Sequence, residues 1–101
     1  MNVQKQKSVI KLVDSFIRKE LGEVAEFDGY LFREGADAVN YDEYASKDSV
    51  WLAVDGSVLY DLLNYGGDGW KFQDRFDKFL TENNLWYEPN YAWSMNIMEL
   101  S

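Results

Sequence analysis

Val50-Trp51-Leu52-Ala53-Val54 is a short apolar run, and the turn pair Asp55-Gly56 follows it directly. Short apolar runs bounded by turn residues are typical of strands whose two faces are both covered. We therefore predict a central strand over residues 50–54 and interpret the neighbouring segments around it.

The chain before this strand begins with an amphipathic pattern. Apolar residues recur at steps of three and four positions, at Val9, Ile10, Val13, Phe16, Ile17 and Leu21. This spacing predicts a helix over residues 4–21. Gly22 is placed to end that helix with a positive φ, as glycine commonly does.

Between this helix and the central strand, two β-compatible runs flank the pair Asp28-Gly29. Glu23-Val24-Ala25-Glu26-Phe27 comes before the pair and Tyr30-Leu31-Phe32-Arg33 comes after it. An Asp-Gly pair between two such runs predicts a β-hairpin. Residues 36–49 are mostly polar, and we predict a long loop or a frayed helical turn there.

After the central strand, the pattern predicts two helices and a final strand. Ser57 can cap a short helix, and Asp68 can cap a longer one over about residues 69–83. Pro89-Asn90 then predicts a turn. A period-two pattern predicts a last strand, with its apolar positions at Tyr91, Trp93, Met95 and Ile97.

This order of elements predicts an α+β fold in one domain over residues 1–101. We expect an N-terminal helix, a largely antiparallel sheet of three to five strands, and two further helices packed on one face of the sheet. At 101 residues the chain has the length of one ordinary domain, and no proline-rich, glycine/serine-rich or charged linker divides it.

The residue types present restrict the chemistry. The chain has no cysteine and no histidine, which excludes disulfides, thiolate metal sites and histidine-dependent nucleophilic catalysis. Gly66-Gly67-Asp68-Gly69 lacks the lysine and the hydroxyl residue of a P-loop, so it predicts a turn between helices. We expect no enzyme activity, no metal and no cofactor. The lack of a long apolar stretch or a signal-peptide pattern predicts a cytoplasmic protein.

The acidic residues are concentrated in the middle of the chain. The formal net charge is −8, and residues 23–62 carry ten acidic side chains against two basic ones, Arg33 and Lys47. Residues 1–22 carry a net positive charge. A strongly acidic surface argues against direct binding to nucleic acid or to an anionic membrane, and it favours a basic protein partner. The same charge can also serve only to keep a small domain soluble.

Tyrosines lie among these acidic residues in the segment Asn40-Tyr41-Asp42-Glu43-Tyr44. Tyrosine is enriched at protein interfaces, where its ring packs and its hydroxyl stays hydrated. We therefore predict an exposed partner-binding surface with Tyr41 and Tyr44 as its anchors. Its acidic members are Glu34, Asp37, Asp42, Glu43 and Asp48. On this interpretation, changing Asp42 and Glu43 to lysine abolishes binding and leaves the melting temperature nearly unchanged.

Three segments are similar to uncharacterised prophage proteins, namely Leu59-Tyr60-Asp61-Leu62-Leu63-Asn64-Tyr65-Gly66-Gly67, Trp86-Tyr87-Glu88 and Ala92-Trp93-Ser94. In its size, acidity, aromatic content and lack of cysteine and histidine, the chain also resembles small phage- or plasmid-encoded inhibitors of the anti-CRISPR and antirestriction type. The resemblance implies an inhibitor from a mobile element that blocks the basic nucleic-acid-binding surface of a host defence protein, partly by mimicking DNA. It assigns no role to individual residues.

Two other functions fit the same sequence. The first is an immunity or antitoxin-like protein that neutralises a basic nuclease toxin. The second is a small carboxylate-dependent hydrolase or sugar-binding domain, in which carboxylates such as Asp42 and Glu43, or Asp28 and Asp55, cluster in space. The identity of the partner and the oligomeric state stay open at this point.

Overall fold

The structure is a computed structural model that describes residues 1–64 and 69–100. In chain order its elements are α1 (Val3–Leu21), a 3₁₀ turn (Gly22–Glu26), β1 (Leu31–Glu34), α2 (Gly35–Ala38), β2 (Val50–Ala53), α3 (Val58–Asn64), α4 (Gly69–Glu82), β3 (Leu85–Tyr91) and β4 (Ser94–Glu99). The predicted α+β class is confirmed. Among the helices in the described ranges, none is both long enough and apolar enough to cross a membrane.

The four strands in the described ranges form one antiparallel sheet in the order β1-β2-β4-β3. β2 lies inside the sheet, and its four residues are all buried. Leu52 of β2 pairs with Phe32 of β1 and with Met95 of β4, so that an apolar row crosses the sheet. The prediction of a central strand is confirmed.

Three helices cover one face of this sheet. α1, α3 and α4 each contribute fully buried side chains to the hydrophobic core, among them Ile17, Leu59 and Phe76. The ring of Phe16 stacks on that of Phe79 with centroids 4.4 Å apart, which joins α1 to α4. The predictions of an N-terminal helix and of two later helices on one face are confirmed. Each large aliphatic side chain buried here contributes about 1.5–3 kcal/mol.

The helix ends follow the expected capping chemistry. The side chain of Asn2 caps the first turn of α1, and Gly22 ends α1 with a φ of 62°. The hydroxyl oxygen of Ser57 accepts a hydrogen bond from the N–H of Leu59 at 3.0 Å, which caps α3 as predicted. The predicted Asp68 cap and the two glycines before it lie outside the described residues.

The connection between β1 and β2, residues 35–49, covers the other face of the sheet, and we call it the covering segment. It begins with the single helical turn of α2 and continues in turns, so both of the predicted alternatives, a long loop and a frayed helical turn, describe part of it. A second, smaller cluster of side chains joins it to the sheet, consisting of Ala38, Ala45, Trp51, Ala53 and Trp93. The sheet is therefore enclosed between a helical layer and a polar segment.

The predicted hairpin around Asp28-Gly29 is wrong. Residues 22–26 form a 3₁₀ turn, and β1 pairs with β2 instead. The carboxylate of Asp28 accepts a hydrogen bond from the N–H of Val58 at 3.1 Å, and the N–H of Gly29 donates to the backbone oxygen of Gly56 at 3.1 Å. Asp28 and Gly29, which were expected to form the turn of a hairpin, are thus hydrogen-bonded to residues 56 and 58, in the turn after β2 and at the start of α3.

The predicted turn at Pro89-Asn90 is also wrong. β3 continues through both residues to Tyr91, and Ala92-Trp93 connects it to β4. A register shift between Pro89 and Tyr91 interrupts the pairing at this point. Proline cannot donate to a ladder, but β3 is an edge strand of the sheet and tolerates it, particularly beside such an irregularity. The final strand consequently begins at Ser94 rather than at Tyr91.

Gly35, where the covering segment leaves β1, has no room for a side chain. A Cβ placed there would overlap the backbone oxygens of Ser46 and Lys47. We expect Gly35→Ala to lower the free energy of unfolding by about 1–3 kcal/mol, the range for overpacking a buried position. Urea unfolding measures this change.

Gly56→Ala is the matched control for that substitution. A Cβ at Gly56 meets its nearest backbone atom at 3.6 Å, which is an ordinary contact. Equal losses of stability in the two variants would show that the close approach at Gly35 does not constrain the covering segment.

Candidate functional site

Hydrogen bonds of Gln6 in α1 and of Met1 attach the covering segment to the N-terminal part of the chain. The Gln6 side chain is buried, and its amide nitrogen donates to the backbone oxygen of Lys47 at 3.0 Å. Its amide oxygen accepts from the N–H of Gly35 at 2.8 Å. The amino group of Met1 also donates to the backbone oxygen of Asp48 at 2.8 Å. One glutamine side chain thereby holds both ends of the covering segment together.

Asp42 lies at the centre of the contact between the covering segment and the sheet. Its Oδ2 atom accepts hydrogen bonds from the indole N–H of Trp51 at 2.8 Å, the hydroxyl of Ser94 at 2.7 Å and the amide of Asn90 at 3.2 Å. Its Oδ1 atom accepts from the N–H of Tyr44 at 2.9 Å. The carboxylate is therefore bound to β2, β3 and β4, and only 4% of the residue is exposed.

These hydrogen bonds keep the buried carboxylate ionised. Burial acts to raise the pKa of Asp42, but the hydrogen bonds that it accepts, with that from Trp51 the largest, outweigh burial. The pKa consequently lies below the ordinary carboxyl value of 3.8. The expectation that Asp42 lies on the exposed surface is wrong. A lysine there is expected to disrupt the fold, not to leave the melting temperature unchanged, because it would place an unpaired cation among buried donors.

Two asparagines extend the network beneath the covering segment. The amide of Asn90 donates to the side-chain oxygen of Asn96 at 3.1 Å, and the amide of Asn96 donates to the backbone oxygen of Tyr44 at 2.9 Å. Ser94 and Asn96 are thus buried on the second face of β4, while the alternate residues of that strand belong to the hydrophobic core. The network makes their burial possible, because buried polar groups require hydrogen-bond partners.

Tyrosine rings lie on the outer side of the covering segment. Tyr41 is 58% exposed and Tyr44 is 57% exposed, in agreement with the predicted positions of these side chains. The centroid of the Tyr44 ring lies 5.3 Å from that of Tyr91. Tyr91 in turn stacks on Trp93 with centroids 5.4 Å apart. The sequence pattern missed Tyr91 as part of this surface, because its position depends on where β3 ends.

Glu43 is exposed beside these rings. Its carboxylate accepts a hydrogen bond from the hydroxyl of Tyr91 at 2.5 Å. That hydrogen bond, followed by desolvation and by the negative charge of Glu43, raises the pKa of Tyr91 to about 12. The phenol therefore remains protonated at neutral pH and continues to donate to Glu43.

The other predicted carboxylates have different surroundings. Arg33 donates to the carboxylate of Asp37 at 2.8 Å, and its guanidinium carbon lies 3.9 Å from the centroid of the Tyr41 ring. The charge of Asp37 is thus compensated within the protein. Glu34 is half-buried at the end of β1, and Asp48 is exposed just before β2.

Four of the predicted site residues are exposed on the covering segment in two groups: Asp37 and Tyr41 contact Arg33, and Glu43 and Tyr44 contact Tyr91. We call Asp37, Tyr41, Glu43, Tyr44 and Tyr91 the tyrosine–carboxylate surface. Glu34 precedes the covering segment, Asp48 lies near its end, and Asp42 lies beneath the surface as its internal attachment.

The part of the chain that the structure describes contains no group of three or more acidic side chains arranged to hold a metal ion. A cavity of about 80 Å³ lies between β3 and the end of α3. Its described lining includes Leu63, Tyr87 and Met95 but no aspartate or glutamate. This cavity therefore does not provide the paired carboxylates of a glycosidase-type site.

No protein-family model matches this chain, and neither a curated protein nor a solved structure matches it. The resemblance to phage-encoded inhibitors stays a prediction. Function is therefore inferred from the geometry of the chain's own surfaces.

Asp42→Asn tests the role of the buried carboxylate. We expect it to lower the free energy of unfolding near neutral pH by about 2–3 kcal/mol, because the buried donors of Trp51 and Ser94 lose their charged acceptor. Urea unfolding measures the change. Asp37→Asn in the same segment is the control, and its loss should stay below about 1 kcal/mol because that ion pair is exposed.

The pH dependence of the difference in unfolding free energy between the wild type and Asp42→Asn tests the lowered pKa of Asp42. Folding lowers the pKa of Asp42, so its ionisation stabilises the fold above the unfolded-state value, near 3.8. That contribution is lost as the pH falls from this value toward the lower folded-state pKa. The stability difference between the wild type and Asp42→Asn should therefore shrink over this range. A difference that is constant down to strongly acidic pH would show that the charge of Asp42 is not involved.

Proposed function

We propose that this chain is a small protein-binding domain that occupies a basic, nucleic-acid-binding surface of a partner protein through its tyrosine–carboxylate surface. The observation that carries this proposal is the pair of exposed tyrosines, Tyr41 and Tyr44, held beside carboxylates on a buried hydrogen-bonded base. We further propose that the partner is a host defence protein and that the chain is an inhibitor encoded by a mobile element.

The tyrosines suit this role for two physical reasons. A tyrosine ring buries a large area at a small cost in side-chain entropy, and its hydroxyl can bind polar groups of the partner. The backbone that carries Tyr44 donates to Asp42 and accepts from Asn96, so its position is fixed before binding. A preformed surface loses less free energy to ordering when the complex forms.

The charge of the chain supports a basic partner. Residues 23–62 contain ten acidic residues, and of their two basic residues Arg33 is paired with Asp37. Glu43, beside Tyr91, and Asp48, at the end of the covering segment, are exposed and add negative charge to this segment. Opposite charge on the partner accelerates association and makes affinity depend on salt. Nucleic acid would compete for the same basic residues.

The test begins with a partner captured from host lysate and purified. Glu43→Lys and Asp48→Lys are combined in one variant, and Asp74→Lys and Glu82→Lys are combined as a matched control. The control makes the same change in net charge on α4, which packs on the opposite face of the sheet. We expect the first variant to bind about tenfold more weakly or worse, and the control to stay within about twofold.

Competition by duplex DNA completes this experiment. The proposal expects DNA and this chain to exclude each other from the partner, and it expects affinity to fall as salt rises. Equal weakening by both variants would mean that only net charge matters and that the tyrosine–carboxylate surface is not the binding site. Simultaneous binding of DNA and this chain would reject the proposed competition.

A further inference from the structure

A second surface lies at the end of the β1–β2 pair where β1 begins and β2 ends. An open groove of about 470 Å³ runs between the 3₁₀ turn, the turn after β2 and the start of α3. Its apolar lining comes from Val24, Phe27 and Val58, and three aspartates also line it. We call this feature the acidic groove, and its aspartates are Asp28, Asp55 and Asp61.

The apolar side chains of the acidic groove are unusually exposed. Phe27 is 88% exposed, Val24 51% and Val58 45%. A phenylalanine with most of its ring in water gains free energy when a partner covers it. Adjacent exposed apolar residues with a polar rim are typical of protein interaction sites. Phe27 in particular has no packing role that accounts for its place in the chain.

The walls of the groove are joined before any ligand binds. The carboxylate of Asp28 accepts hydrogen bonds from the N–H groups of Tyr30 and Val58, both at 3.1 Å. The N–H of Gly29 donates to the backbone oxygen of Gly56 at 3.1 Å. Both carboxylate oxygens of Asp28 thus hold the groove together. The expected neighbourhood of Asp28 and Asp55 exists, but Asp28 is committed to this structural role.

The charge of the groove has one sign. Asp55 and Asp61 are exposed and make no ion pair or hydrogen bond with other described residues through their side chains. No lysine or arginine is among the described lining residues. The nearby cation Arg18 interacts electrostatically with Glu26, but it forms its ion pair with Asp14, at 2.9 Å. A ligand for this groove therefore needs positive charge beside an apolar group.

We propose that the acidic groove is a docking site for a basic peptide segment of a partner protein. One apolar side chain of that segment packs on Phe27, Val24 and Val58, and flanking lysine or arginine side chains meet Asp55 and Asp61. The valines Val24 and Val58 offer aliphatic surface, and the carboxylate of Asp28 is already bound to backbone N–H groups, so the groove suits a peptide side chain better than the hydroxyl groups of a sugar. This inference uses none of the residues of the tyrosine–carboxylate surface and does not rest on the proposed function.

Differential selection from a library of random short peptides tests the proposal. The full chain, its Phe27→Ser variant and its Trp70→Ser variant are each used to select binders. Trp70 on α4 is 63% exposed and lies outside the groove, so it is the matched control for removing an exposed aromatic ring. Because Phe27 is also exposed, Phe27→Ser should keep the unfolding midpoint of the wild type.

The expected result is a family of basic peptides with one large apolar residue. The wild type and Trp70→Ser should enrich it, and Phe27→Ser should bind its members about tenfold more weakly or worse. Neutralising the groove with Asp55→Asn and Asp61→Asn should remove the preference for lysine and arginine. Enrichment of neutral or acidic peptides, enrichment that ignores Phe27, or no enrichment overturns the proposal.

Sedimentation velocity of the full chain distinguishes a peptide segment of a partner from a second molecule of this chain as the ligand of the groove. α1 carries basic side chains and would be the corresponding segment of another molecule. The proposal expects the sedimentation coefficient to be independent of protein concentration. A concentration-dependent dimer that Phe27→Ser abolishes would assign the groove to self-association and overturn the proposed peptide site.

Discussion

The buried carboxylate of Asp42 is the interaction on which the second layer of this fold depends. The covering segment contains few large apolar side chains, so hydrophobic contacts alone attach it weakly to the sheet. Asp42 supplies the attachment because its oxygens accept hydrogen bonds from residues of three strands. A buried charge is costly unless its hydrogen bonds are complete. Because Asp42 has to meet donors on three strands at once, its hydrogen bonds fix the position of the covering segment on the sheet.

The polar interior explains features that otherwise look unrelated. β4 alternates between apolar side chains toward the helices and polar ones toward Asp42, yet both sets are buried. Gln6 reaches from the helical layer to the ends of the covering segment, so the two layers are joined where β1 ends and β2 begins. The exposed rings of Tyr41 and Tyr44 consequently stand on a base that is fixed from both sides. Surface geometry here is set by hydrogen bonds below the surface.

Sequence patterns predicted the elements whose signals are local. The helix α1, which Gly22 caps, and the strand β2 (Val50–Ala53) follow from neighbouring residues alone. The failures have distant causes. No hairpin forms at Asp28-Gly29 because residues 22–26 form a 3₁₀ turn and β1 pairs with β2, while one oxygen of Asp28 binds the N–H of Val58, thirty residues away. Asp42 was expected at the surface because an aspartate in a polar run is usually solvated. Its donors lie on three strands, and only the tertiary structure brings them together.

The acidic groove and the tyrosine–carboxylate surface share no residue: the groove is lined by the segments before β1 and after β2, whereas the surface lies on the covering segment and on Tyr91 of β3. This separation has an energetic consequence. β2 is buried on both faces and paired on both edges, so the sheet between the two surfaces has little freedom to change shape. Binding at one surface should therefore leave the other unaltered. A single partner that reaches both would gain affinity through effective concentration, not through a conformational change. Two partners, by contrast, would bind with independent affinities, modified only by their mutual electrostatic repulsion.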